Sequence, residues 1–149
     1  RGARRKGRRV IRREERDRFD RLLQKVIDEL PAAIRDLLEE APVYVDDIPP
    51  ESVMREFGVE DPADLCGLHS GVPLTERSVG DPGGHLETIS LYRLGIIEAA
   101  GGWRRWTDDE GLVGGGVDRV REEIRITLLH EIGHHFGLGE EDLDRLGFG

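Results

Sequence analysis

Cysteine occurs once in this 149-residue chain, at Cys66. A single thiol excludes an internal disulfide framework and a zinc cluster built on several thiolates, and a cytoplasmic protein is the simplest expectation. Within ADLCGL nothing nearby marks Cys66 as a nucleophile, so it reads as a small, partly buried hydrophobe. Aromatic residues make up only 5% of the chain while charged residues make up 36%, which predicts a thin core under a heavily charged surface. Long apolar runs are missing too. None approaches the roughly 18 residues that a bilayer-spanning helix needs, and the first stretch has no apolar segment of the kind a secretory signal carries.

Acidic residues are absent from RGARRKGRRVIRR, Arg1 to Arg13, although the whole chain has a net charge of -9. The remainder is therefore strongly acidic. A one-sign block of this kind predicts a solvated arm over residues 1–13, followed by one domain over 14–149. The sharper alternative is a tether for nucleic acid. It would have to act through the arm alone, because the acidic body repels phosphate and no aromatic residue is interleaved to stack on bases.

What is present begins with helical periodicity. Phe19, Leu22, Leu23, Val26, Ile27 and Leu30, then Ile34, Leu37 and Leu38, predict two helices or one broken at Pro31. APVYVDDIPP predicts a strand ending at Pro49 and Pro50, and ESVMREFGV a short helix stopped by Gly58. The Gly-, Pro-, Ser- and Asp-rich stretch from Glu60 to Gly84 predicts mostly loop. HLETISLYRL alternates as a strand does. In AAGGWRRWTDDEGLVGGGV, Trp103 and Trp106 either form a lid or a partner-binding knob or fold back on the core, the last being the simpler expectation. A final long helix is expected from Val117 or Asp118, with Asp118 as its cap and Gly137 ending it in a left-handed conformation.

That last helix carries HEIGHHFGLGEEDL, His130 to Leu143. At about 100° per residue, His130 and His134 lie about 40° apart and one turn apart, so both imidazoles can converge on one ion. Glu131 points about 100° from His130, beside the site, where a general base belongs. His135, about 140° from His130, falls in line with Val117, Ile124 and Leu128 and is expected to face the core. A catalytic zinc takes three protein ligands and keeps one position open. If the chain reverses at Gly137, Glu140 is the favoured third ligand, with Asp142 next and Glu141 between them. In a peptidase the zinc would hold a water whose proton Glu131 removes as the water attacks the scissile carbonyl. Tyr92, Arg93, His69 and His85 are of the right type to donate to the developing oxyanion.

HEIGHHFGLGE has the zincin pattern HExxHxxGxx followed by a ligand. With DPADLCGLHSGVPLTERS and ISLYR, it resembles the small bacterial zincin-like metallopeptidase family, over about half of the chain from Asp61 onward. The resemblance implies an α+β minimal zincin fold, a small mixed sheet packed with helices and HExxH on the penultimate helix. It also implies zinc, with His130, His134 and Glu140 as ligands and Glu131 as base, and a peptide or protein substrate. His69 departs from the pattern, standing where an aromatic residue is expected. The Gly- and Trp-rich linker looks like an insertion, and no methionine follows the helix, so a metzincin Met-turn is absent. Against the peptidase stands a second reading, a non-catalytic metal-binding or interaction protein of the same fold. A third is a nucleic-acid-associated protein held by the arm.

Overall fold

A computed structural model describes residues 9–70 and 88–145. Helix α1, Arg13–Asp28, and helix α2, Ala32–Leu37, are separated at Pro31, whose missing N–H costs nothing at a helix start. Glu15 accepts the backbone N–H of Arg12 at 3.0 Å, which fixes the entry to α1. Just before it, Ile11 is buried at 2% exposure and Arg9 bonds Glu15 at 2.6 Å. The end of the basic run thus packs on the body, while residues 1–8 lie outside the described residues.

Strand β1, Val43–Asp46, leads through the two prolines to α3, Glu51–Phe57, which Gly58 closes in a left-handed conformation. A short 3-10 turn, Pro62–Asp64, precedes β2, Gly67–Ser70. This strand lies inside the stretch expected to be loop, and its four residues contain too little alternation to be read as a strand alone. Strand β3, Thr88–Tyr92, is the centre of a three-stranded sheet of order β1-β3-β2, parallel to β1 and antiparallel to β2. The expected strand was longer. At Arg93 the chain turns into helix α4, Arg93–Ala100, which periodicity did not predict. RLGIIEAA is apolar nearly all round because α4 is buried nearly all round, so it presents no polar face to give a 3.6-residue signal.

Two short strands, β4 at Trp106–Thr107 and β5 at Val113–Gly114, pair antiparallel, so the linker expected before the last helix is a small hairpin. Trp103 folds back on the core, whereas Trp106 stays exposed beside its own hairpin. The Trp103 indole donates to Glu15 at 3.1 Å beneath the Arg18 guanidinium, and that of Trp106 donates to the Gly101 carbonyl at 2.9 Å. Helix α5, Val117–Phe136, follows, and α6, Glu140–Arg145, completes the described fold. Gly116, not Asp118, is the residue that precedes α5; Asp118 lies in its first turn.

One core joins these parts. Phe19 and Val26 of α1, Ile96 and Ile97 of α4, Ile89 and Leu91 of β3, and Val120, Ile124, Leu128 and Ile132 of α5 are all buried together. Arg93, 8% exposed, ties three segments at the edge of that core. Its guanidinium forks onto Asp20 of α1 at 3.0 and 3.1 Å and reaches Asp47 at 2.8 Å. Mixed helices and small sheets make this an α+β fold, with α5 the penultimate helix. Among the described residues no helix is long and apolar enough to cross a membrane.

Candidate metal centre

Register decides which side chains of β2 meet α5. His69 pairs with Ile89 and Gly67 with Leu91, so His69 and Gly67 share the sheet face that carries the buried Ile89 and Leu91. On α5 the buried stripe runs Val120, Ile124, Thr127, Leu128, Glu131, Ile132. Glu131 therefore sits in the seam between helix and sheet, 8% exposed, whereas His130 and His134 are exposed. The helical wheel had separated Glu131 from the His130 face. It is the overlying β2 that makes this position the buried one.

Close approach of the strand requires Gly67. A Cβ there would lie 3.0 Å from the Ser90 carbonyl oxygen, 3.0 Å from Thr127 Cγ2 and 3.3 Å from Glu131 Cγ. With β2 held this near, His69 Nδ1 lies 3.2 Å from Glu131 Oε1. The rings of His130 and His134 are 4.1 Å apart between centroids, and that of His69 is 5.7 Å from His134. His69, Glu131 and His134 present ligand atoms that all lie within 4.8 Å of one another.

His69 is the residue whose place the sequence did not reveal. It was one of four possible oxyanion donors, and the signal available was its standing where an aromatic residue was expected. Of the other three, Arg93 is committed to Asp20 and Asp47, and His85 lies outside the described residues. Burial pushes the Tyr92 phenol above its ordinary range, a hydrogen bond with Ser90 works against this, and the charges of Asp46 and Glu131 add to it. Tyr92 therefore stays a neutral O–H at neutral pH, and by strand register it shares the sheet face of Ser90 and Leu68, opposite that of His69. His135 is half-buried, its ring edge-on to Phe136 at 4.7 Å and to His69 at 5.8 Å.

Gly137 ends α5 with φ 69°, and the Leu138 N–H donates back to the Gly133 carbonyl at 2.7 Å, reversing the chain. Glu140, exposed, opens α6 beyond that reversal. Its carboxylate does not join the cluster of His69, Glu131 and His134. Asp142 is occupied locally, accepting the Gly139 N–H at 2.9 Å and pairing with Arg145.

Imidazole nitrogens one helical turn apart, exposed on one face, with carboxylates alongside, are a donor set that suits zinc. Burial also raises the Cys66 thiol to about 11, helped by the charges of Glu123 and Glu131. Cys66 is thus a protonated, core-packed side chain near the centre and no part of a thiolate site.

Among curated proteins none matches the chain. The family model of zincin-like metallopeptidases matches residues 38–149, from the end of α2 through every residue of the centre described above. By that match the chain belongs to the zincin-like metallopeptidase family.

Proposed function

We propose that this protein is a zinc-dependent peptidase that hydrolyses peptide bonds of a peptide or protein substrate. His130, His134 and Glu140 hold the metal and Glu131 is the general base. The observation that carries the reading is the buried Glu131 carboxylate, held by His69 at 3.2 Å beside two exposed imidazoles. Zinc, when bound, supplies Lewis acidity and makes a coordinated water more acidic.

The rest belongs to the chain's own side chains. His69 Nδ1, in the tautomer that carries a proton there, donates to Glu131 Oε1, which fixes the carboxylate and leaves Oε2 to accept the proton of the attacking water. Burial in the seam keeps bulk water from competing for that carboxylate. Glu140 supports the ligand role by its position, brought back toward α5 by the reversal at Gly137.

Glu131→Gln tests the base. The variant should retain about one zinc per chain and lose roughly 10²–10⁴-fold in peptide hydrolysis, and undiminished turnover would reject the role. A second reading rests on the 4.8 Å cluster, in which His69, Glu131 and His134 bind the metal. Glu131 would then be a ligand with no base left, and the centre would be structural. Zinc content separates the two: loss in His130→Ala with retention in His69→Ala supports the peptidase, and the reverse pattern supports the structural site.

A further inference from the structure

On the sheet face opposite α5 the chain leaves a cleft of about 440 Å³ between the sheet and α3. Register explains it: Tyr44, Ser90 and Leu68 stand opposite one another across the three strands, one residue out of phase with Gly67 and His69. Leu68 and Ser90 line the floor with Tyr92, and Val53 and Phe57 of α3 form an apolar wall. Two carboxylates, Asp46 and Glu56, also line it, and among the described residues neither is in an ion pair. His69 lines the same cleft while its Nδ1 bonds Glu131, so the cleft adjoins the candidate centre through a shared side chain.

We propose that this cleft is a subsite for a basic side chain, lysine or arginine, of a peptide bound at the metal centre. The inference rests on the peptidase reading above and gives it a substrate class. A lysine or arginine stem is apolar and matches Val53, Phe57 and Leu68, while its cationic end matches Asp46 and Glu56. Among the described residues no lysine or arginine lines the cleft, so an acidic substrate side chain meets repulsion and an aliphatic one gains no charge pairing from Asp46 and Glu56. Extended peptides direct successive side chains to opposite faces, so a chain crossing the β2 edge near His69 can present one residue to the centre and the next to the cleft.

The test uses blocked alanine pentapeptides carrying lysine, arginine, norleucine or glutamate at the central position, titrated calorimetrically into the full chain bearing Glu131→Gln and loaded with zinc. The lysine and arginine peptides should bind at least about tenfold tighter than norleucine, and glutamate weakest. That ratio should fall below about twofold when Asp46→Asn and Glu56→Gln are added, with folding verified by thermal melting. Equal binding of lysine and norleucine, including the case in which neither binds, overturns the subsite, as does a preference that survives the double substitution. Wild-type protein with the same peptides separates this from the peptidase reading. Hydrolysis indifferent to the central residue rejects the subsite alone. Basic-selective binding without hydrolysis rejects the peptidase and leaves the subsite standing.

Discussion

Replacing Gly67 with alanine would place a methyl group where β2, β3 and α5 converge. Its nearest neighbours, the Ser90 carbonyl oxygen and Thr127 Cγ2, would each be 3.0 Å away, and Glu131 Cγ would be 3.3 Å away. The first is backbone of the central strand and cannot rotate aside. Relief therefore requires β2 to lift by a few tenths of an ångström, and overpacking of this kind costs about 1–3 kcal/mol. The shorter menu of unfolded conformations returns about 0.4–1 kcal/mol, because Gly67 does not need a left-handed backbone. The net loss of up to about 2.6 kcal/mol corresponds, at roughly 2–4 °C per kcal/mol for a domain of this size, to a fall in Tm of up to about 10 °C. The same displacement carries His69 away from Glu131, so hydrolysis should fall by roughly tenfold beyond what the melting change explains, since misplacement by about 1 Å can reach 10²-fold. Gly58→Ala is the control. There φ is 66° with nothing within 4 Å of the new Cβ, so about 1 kcal/mol of backbone strain should appear with no change at the centre. Differential scanning calorimetry with a peptide-hydrolysis assay reads both quantities. A Gly67→Ala protein as stable and as active as its parent would refute the close approach of β2 to α5.

Burial works to raise the Glu15 carboxyl, but the Arg12 N–H, the Arg9 guanidinium and the Trp103 indole outweigh it and hold the group below its ordinary 4.5. A depressed carboxyl stabilises the fold above 4.5 and loses that contribution as pH falls through its folded value, so Glu15→Gln should flatten acid melting curves below pH 4.5. An unchanged acid slope would show that Glu15 does not carry it. Cys66, raised to about 11 against an ordinary 9.0, should react with iodoacetamide at pH 8 roughly 100-fold more slowly than a free thiol, and a rate equal to the free thiol would contradict its packing. Arg93→Ala removes the fork that joins α4 to α1 and to Asp47, the residue after β1. Because Asp20 is half-exposed and Asp47 partly so, water answers the orphaned carboxylates and the loss should be about 1–3 kcal/mol in urea unfolding. A change below about 0.5 kcal/mol would mean that the guanidinium is not the tie.

Much of this architecture is written in local order. The break at Pro31, the αL stop at Gly58 and the one at Gly137 depend on the covalent properties of proline and glycine, so the sequence alone reveals them. His130 and His134 are brought together by helical spacing, which holds in any α-helix. The basic-arm prediction met tertiary contacts at its end, where Ile11 is drawn into the core. Helix α4 escaped notice because burial on every side removes the pattern by which a helix is recognised.

The sequence by itself determined that a helix carries two imidazoles one turn apart with a carboxylate between them, and that the chain reverses at Gly137. Only the tertiary structure decided that Glu131 is buried, that His69 holds it, and that Asp46 and Glu56 open onto a cleft beside them. The reason is distance along the chain: His69 and Glu131 are separated by 62 residues, and no periodicity spans that interval. Strand register and the missing side chain of Gly67 bring them together, and both are properties of packing between segments.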